Sequence, residues 1–592
     1  MNILGLSCFY HDAGACLLQD GALVAAAEEE RFSRLKHDAR LPVRAADYCL
    51  SAAGLEPQDL DFIVFYEKPL LKFERIVAGY AATYPRSRSA FVNAIQTWLG
   101  QKLWERGQIR QSFGFSGEIL FGEHHVSHAA SAFFPSPFEE AAVLTADGVG
   151  EWATTTLGRA HGIDLEVTHE IRYPHSLGLL YSAFTAYLGF EVNEGEYKVM
   201  GMAAYGRPTC VDKVRQVIAL ADDGSFRLDM RYFGYHHGLR SIDRAFIDLF
   251  GPPRQPGAEL EQRYADIAAS IQQVTEDAML GLARRARELS GSENLCMAGG
   301  VALNVLANAR IQRESGFRRV WVQPAAGDAG GCVGAATYLH HSVLRHPRRW
   351  RMETALLGPS YSSDEIHAFL EREGIAFTTL EERAIAPTVA RLLADNDVVG
   401  WFQGRMEFGP RALGARSILA NPTDPSTKET LNAKIKHREA FRPFAPSTLL
   451  EAAPTYFDFG APTGEPDSPF MLLTARVRPD KQHLLPAITH VDGTARVQTV
   501  RESQNPPLYR LLRAFADITG VPVLINTSFN VKGEPIVETP RDALECFLAT
   551  GIDYLVLNEI LVSKTIGHRL LSPFMKASSD IASIVRTGMQ AE

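Results

Sequence analysis

A three-strand unit occurs twice in this chain, and that repetition limits the fold more than any other feature. The first copy reads NILGLS, the turn HDAG, ACLL, the turn QDG, then ALVAAAEEE. The second begins at Ala141 with AAVLTA, turns at DGVGE, and continues as WATTTLG, the turn AHGID and LEVTHEI. Short apolar runs separated by Gly- and Asp-containing turns are strands joined as hairpins. Both units carry a small-residue first turn with an acidic residue in or beside it, Asp12 and Asp147. Two lobes, each opened by such a unit, are therefore expected.

Paired hairpins facing a nucleotide's phosphates across a cleft are the arrangement of the actin-like ATPase superfold, and the class is α/β. Other segments fit around them. LPVRAADYCLSAAGL has helical periodicity and ends at Gly54. YADIAASIQQVTEDAMLGLARRARELSG predicts a long amphipathic helix with Ile267, Ile271, Val274, Ala278 and Leu282 on one face and Gly291 as its C-terminal cap. ENLCMAGGVALNVLANARI reads as a strand, the pair Gly299–Gly300 and a helix, where free N–H groups can meet an anion or a nucleotide sugar. NEGEYKVMGMAAYG, with Glu194, Glu196 and Lys198, reads as a glycine-bearing loop that either approaches a ligand or merely connects.

His124 and His128 lie four residues apart in a helix ended by Pro135 and Pro137, so their imidazoles share one face. Asp147 follows a buried strand, and Asp328 ends a second strand between glycines. Two imidazoles and two carboxylates can make a metal site with nitrogen and oxygen ligands. A hydrogen-bonded histidine pair in a core or on a surface gives the same spacing.

A chain of 592 residues needs more than one core. The basic, Pro-containing stretch after His341 places a boundary near residue 355, and Ser362 with Glu365 predicts a capping box that starts the next helix. Beyond it, Arg405, Arg411, Arg416, Lys436, Arg438 and Arg442 are interleaved with Gly and Pro, a density suited to a small polyanion. A charge network with Glu407, Glu429 and Glu439 is the alternative. Arg496 falls on a strand, and VPVLINTSFNVKGEPIV runs from a strand into a turn whose Asn526, Thr527, Ser528 and Asn530 can bind a carbamoyl group or phosphate. After about residue 570 no pattern is evident.

The motifs HDAGACLL, AEEERFSRLKH, HHVSHAASAFF, TADGVGE, GEYKVMGMAAYG, AGGVALN, GPRALGARSIL, RPFAPS and INTSFNVKGEPIV follow one another over residues 1–565. In that order they resemble the O-carbamoyltransferases of antibiotic and nodulation-factor type. The resemblance implies an actin-like transfer domain over 1–355, similar to the tRNA threonylcarbamoyl transferase. It implies a second α/β domain over 356–592, similar to the threonylcarbamoyl-adenylate synthase. It further implies a divalent metal on His124, His128, Asp147 and Asp328, with Fe2+ expected and Mg2+ or Mn2+ as alternatives. Arg411, Lys436, Arg442, Arg496 and Asn526 match residues that contact carbamoyl phosphate; Gly148, Lys198, Gly299, Gly300 and Asn304 are the expected nucleotide contacts. ATP is then a co-substrate, carbamoyl-AMP the intermediate, and a small hydroxylated molecule the acceptor. His11 and Asp12 in the first turn are the candidates for the general base. YEKPLLKFERIVAGY and the stretch to Phe121 lie where acceptor contacts are expected and leave the acceptor open.

The net charge of −9 argues against nucleic acid and anionic membranes as partners, and so against threonylcarbamoyl transfer to tRNA. An actin-like scaffold without group transfer would leave the arginine-rich segment unexplained. Seven scattered cysteines with no C-x-x-C suggest neither a disulfide framework nor a zinc knuckle. With neither a signal-like N-terminus nor a run of 18 apolar residues, a cytoplasmic enzyme is expected, with a homodimer as a candidate assembly.

Overall fold

The computed structural model describes residues 1–100, 102–436, 441–462 and 467–564. The patternless segment after residue 570 and Arg438 lie outside the described residues.

Both repeated units form and grow into the same sheet. In the first lobe β1 (Asn2–Ser7), β2 (Gly14–Gln19), β3 (Ala22–Glu28), β4 (Phe62–Phe65) and β5 (Glu118–Phe121) take the order β3-β2-β1-β4-β5. In the second lobe β6 (Glu140–Ala146), β7 (Ala153–His161) and β8 (Asp164–Arg172) open the sheet. After a small hairpin of β9 (Ile218–Leu220) and β10 (Phe226–Leu228), β11 (Asn294–Ala298) and β12 (Arg319–Val322) complete the order β8-β7-β6-β11-β12. In each sheet the first three strands pair antiparallel and the last two join parallel. This duplicated order is the actin-like superfold.

The 29-residue helix Gln262–Ser290 buries Ile267, Ile271, Val274, Ala278 and Leu282 and ends at Gly291, whose φ of 69° is the left-handed cap that a glycine adopts without strain. NEGEYKVMGMAAYG differs from the expected loop: Glu196–Ala203 is a helix. Its flanking glycines serve close packing. A Cβ on Gly206 would lie 1.9 Å from the Ala265 carbonyl oxygen of the long helix.

Met352, Ala355 and Leu357 still belong to the first core, and the Ser362–Glu365 capping box then starts helix Ser363–Arg372. The second half is built on a mixed eight-stranded sheet in the order Thr378–Thr379, Ile560–Ser563, Tyr554–Leu557, Val399–Phe402, Arg416–Ala420, Val523–Ser528, Ala445–Leu449, Gln498–Val500. Phe408, Leu413 and Phe470–Leu472 pack into the first core, so the two halves share apolar surface. Among the described residues no helix is long and apolar enough to cross a membrane.

Candidate metal centre and anion site

Helix His124–Phe133 begins where Glu151 accepts the backbone N–H of His124 at 3.0 Å, a carboxylate at a helix N-terminus. Helix Gly331–Tyr338 crosses it so closely that a Cβ on Gly334 would sit 1.6 Å from the Ser127 carbonyl oxygen. That crossing brings Asp328, which stands just before the second helix, up to the histidine face. Asp147 arrives from the end of β6, where Gly300 N–H donates to its Oδ1 at 2.8 Å.

The four side chains converge. His124 Nε2 lies 3.1 Å from His128 Nε2, 3.1 Å from Asp147 Oδ2 and 3.8 Å from Asp328 Oδ1. His128 Nε2 lies 3.9 Å from Asp147 Oδ2 and 3.5 Å from Asp328 Oδ1. Ligand atoms about 2.1 Å from one ion stand about 3.0 Å apart at right angles and about 3.4 Å apart tetrahedrally. The set fits a divalent ion, and two imidazoles favour iron, manganese or zinc over magnesium. Burial alone would lower the pKa of His124; Asp147 and Glu67 outweigh it and hold it well above its ordinary value. Asp147 is buried too, yet the histidines hold its carboxyl far below the usual range. The buried carboxylates thus demand positive charge. Behind the ligands, Glu67 lies 3.5 Å from His124 Nδ1 and pairs with buried Lys72 at 2.7 Å, and Tyr66 donates to Asp328 at 3.4 Å. Such partners orient ligands. Tyr66 and Glu67 open YEKPLLKFERIVAGY, a segment the sequence marks for acceptor contacts and not for support of a metal site.

The first turn makes a second cluster. Asp12 accepts from His11 Nδ1 at 2.8 Å through one oxygen and lies 2.7 Å from His37 Nδ1 through the other. Both Nε2 atoms are buried without a hydrogen-bond partner, and the rings stack 4.8 Å apart. Burial lowers the pKa of His11, but Asp12 overrides it and raises it to about 9, so His11 is an imidazolium at neutral pH. His37 stands in the motif AEEERFSRLKH, but only the fold brings it to Asp12.

The expected nucleotide contacts divide. Gly148 is open, since a Cβ there would meet only Leu179, at 4.0 Å, whereas Gly299, at φ +92°, would put a Cβ 2.2 Å from the Ala146 carbonyl. Gly300 spends its N–H on Asp147, and Asn304 caps helix Val305–Glu314 and donates to Gln272 at 3.0 Å. Lys198 lies 5.8 Å from the Phe190 ring centroid.

In the second half the arginines separate by function. Arg416 is fully buried, donates to the carbonyls of Gln403, Gly404 and Pro359, and lies 3.5 Å from the Phe402 ring centroid. Arg405 donates to Gly358, Leu357 and, across the halves, Val24. Both are structural, which corrects their expected place in the anion cluster. Glu407, expected as a charge partner, instead accepts the N–H groups of Leu413, Ala415 and Arg416 and so shapes the loop bearing Arg411. Arg411 has no hydrogen bond or ion pair among the described residues, and its Nε is buried. Burial, with Arg442 nearby, lowers its pKa to about 10. Arg442 lies over the Tyr197 ring at 4.6 Å, against helix Glu196–Ala203. Lys436 donates to Asn530 Oδ1 at 2.9 Å beside strand Val523–Ser528, where Asn526 donates to Ser447 and Gln498, both at 3.0 Å. The Asn526 Oδ1 is buried without a partner. Arg496 lies two residues from Gln498, on the edge strand Thr494–Arg496.

A chain of contacts joins the two sites. Arg31 donates to Gly409 O at 2.9 Å and pairs with Glu30 at 2.8 Å; the other Glu30 oxygen accepts His37 N–H at 2.8 Å. The Arg411 loop thereby reaches the His11–Asp12–His37 cluster.

A duplicated actin-like fold thus carries a buried His2Asp2 set and is joined to a half in which Arg411 has no hydrogen bond or ion pair among the described residues. The carbamoyltransferase N-terminus family model matches residues 2–337, and the carbamoyltransferase C-terminus model matches 390–564. The nodulation protein NolNO of Sinorhizobium fredii is 39% identical over 94% of this chain and 79% of its own length. An uncharacterized Synechocystis sp. protein, sll1178, is 49% identical over 95% of this chain and 97% of its own. Nodulation protein U of Rhizobium tropici is 29% identical over 95% and 96%. The chain belongs to the carbamoyltransferase family, and it is an enzyme of that kind.

Proposed function

We propose that this enzyme uses ATP and carbamoyl phosphate to form carbamoyl-AMP in its second half, residues 356–592, and passes the carbamoyl group to a hydroxyl of a small acceptor in its first half, residues 1–355. The observation that carries this reading is Arg411: half-buried, with a buried Nε, charged and with no hydrogen bond or ion pair among the described residues, beside Arg442. A guanidinium so placed calls for a phosphate or carboxylate ligand. Water takes the phosphoryl group of carbamoyl phosphate as inorganic phosphate. The carbamate left behind attacks the α-phosphorus of ATP and expels pyrophosphate. Arg411 and Arg442 offset the charge on the phosphoryl oxygens, and the buried Asn526 Oδ1 accepts from the carbamoyl NH2.

In the second step the acceptor oxygen attacks the carbamoyl carbon, the carbon–oxygen bond to AMP breaks, and AMP leaves. A divalent metal on His124, His128, Asp147 and Asp328, of which we favour Fe2+, would polarise the carbonyl and hold the acceptor oxygen. Gly148 lets the nucleotide phosphate come close to the turn. His11, charged at neutral pH, donates from Nε2 to the departing phosphate. His37, on the other oxygen of Asp12, has the Nε2 that takes the acceptor's proton. ATP and carbamoyl phosphate are cytoplasmic metabolites, so we place the enzyme in the cytoplasm.

The test needs no acceptor. Protein incubated with ATP, carbamoyl phosphate and a divalent metal is expected to release pyrophosphate only when carbamoyl phosphate is present, with carbamoyl-AMP seen by mass. Arg411→Ala should lower that rate by about 10²-fold or more. ATP turnover indifferent to carbamoyl phosphate would sink the reading.

A further inference from the structure

Beyond Asp147 the second turn opens through Val149 into a pocket of about 210 Å3. Its far wall is Arg75 and Gly79 of helix Pro69–Ala82, in the stretch where acceptor contacts are expected; Tyr80, Tyr173, Tyr235 and His236 line the rest. Two lobes thus close on one small cavity beside the metal ligands.

Arg75 is only 6% exposed, yet it has no hydrogen bond or ion pair among the described residues, and its Nε is buried without a partner. Its guanidinium carbon lies 4.9 Å from the Tyr173 ring centroid. One turn earlier on the same helix, Lys72 donates to both oxygens of Glu67, so that buried acid is already taken. A buried guanidinium without a counter-ion is costly, and burial pushes its pKa down. His236 Nδ1 is likewise buried with no partner. Two of the three tyrosine hydroxyls are otherwise engaged: Tyr235 donates to Pro174 O at 2.9 Å and Tyr173 to Tyr235 O at 3.4 Å. Their rings remain as apolar faces.

We propose that this pocket holds the acceptor, and that the acceptor is a hydroxylated ring compound bearing a carboxylate or phosphate. Arg75 takes the anion, the tyrosine rings take a sugar-like face, and His236 takes a hydroxyl. The volume admits one ring; the rest of a larger acceptor stays outside. A polycationic acceptor would meet Arg75 with like charge. This inference rests on the carbamoyl-transfer reading, because the pocket adjoins the Asp147 turn.

Glucuronate, glucose 6-phosphate, methyl glucoside and glucosamine serve as probes of the two anionic sources, a neutral ring and a cationic one. Binding is measured by calorimetry, which needs no turnover. Transfer is measured as carbamoylated sugar per carbamoyl-AMP formed. The two anions are expected to bind and react at least about 10-fold better than glucosamine. Arg75→Met should erase that preference. Gly79→Phe should weaken all four, since a Cβ there meets only Tyr173 Cε1 at 3.8 Å and a ring would fill the cavity. Rescue of the anion preference by Arg75→Lys separates charge recognition from folding. Equal binding of anions and glucosamine, or anion binding unchanged in both Arg75→Met and Gly79→Phe, overturns the inference. So does loss of carbamoyl-AMP retention in Arg75→Met with sugar binding intact, which would give Arg75 to the adenylate. Anion binding that follows Arg75 while wild-type protein makes no pyrophosphate would leave the pocket standing and defeat the two-step reading alone.

Discussion

The β1–β2 turn and the β6–β7 turn occupy equivalent places in the two lobes and each holds an aspartate, yet the histidines meet the two aspartates in opposite ways. Asp147 faces two histidine Nε2 atoms and Asp328, and its other oxygen is fixed by Gly300 N–H. Asp12 faces two histidine Nδ1 atoms and leaves both Nε2 atoms turned away and unpartnered. In the first case the imidazoles converge with the carboxylate on one point; in the second the carboxylate sits behind them. The duplicated fold therefore sets where an acid goes. What the neighbouring helix or loop brings to it decides whether it is a ligand or an orienter.

The largest effect that can break this comparison is at Asp147. Asp147→Asn replaces a charged ligand with a neutral amide, so metal content should fall and carbamoyl transfer should drop by about 10²–10³-fold, while pyrophosphate formation persists. Asp12→Asn should lower transfer with metal content unchanged. Metal analysis of the two purified variants decides it. If both lose metal, the turns are not chemically distinct.

A smaller effect is expected behind the ligands. Glu67 is buried, which would raise its pKa, but Lys72 and His124 hold it at about 2, so it is a full carboxylate against His124. Glu67→Gln made together with Lys72→Met avoids leaving a buried unpaired charge. The double variant should bind metal about 10–100-fold more weakly with all four ligands intact. Unchanged affinity in a metal titration would mean that the 3.5 Å approach of Glu67 to His124 does not orient the ring.

The His–Asp cluster and the duplication are legible in the sequence because both are local patterns: i,i+4 histidines, strand-end aspartates and hairpins with glycine turns. The arginines are legible only as a group. Arg405, Arg411 and Arg416 have the same Gly- and Pro-rich setting, and nothing local separates Arg416, spent on four carbonyls and the Phe402 face, from Arg411, which bonds none among the described residues. That difference is made by tertiary contacts with Pro359 and Val24, far off in the chain. Glycine misleads at Gly195 and Gly206, where its small size serves helix packing rather than loop freedom. His37, Glu67 and Arg75 stand in segments the sequence singles out, but their partners come from what lies opposite in the fold, not from their neighbours in sequence.

The smallest effect lies in the pH response of the first turn. The pKa of His11 rises from 6.5 to about 9 on folding, because Asp12 outweighs burial. A raised histidine pKa stabilises the fold fully below about pH 6.5, and that stabilisation fades as pH climbs through about 9. At about 1.4 kcal/mol per unit it amounts to a few kcal/mol at most. Melting temperatures of wild type and His11→Gln should therefore differ most at pH 6–7 and draw together near pH 10. Transfer by the wild type should fall along the same limb above about pH 9, because the proton His11 donates to the leaving phosphate is gone. Asp147→Asn, whose lesion is at the metal, should keep the His11 limb in whatever transfer remains. A wild-type-to-variant gap that stays constant from pH 6 to 10 would mean His11 is neutral in the folded enzyme. The proton-donor role would then pass to another group.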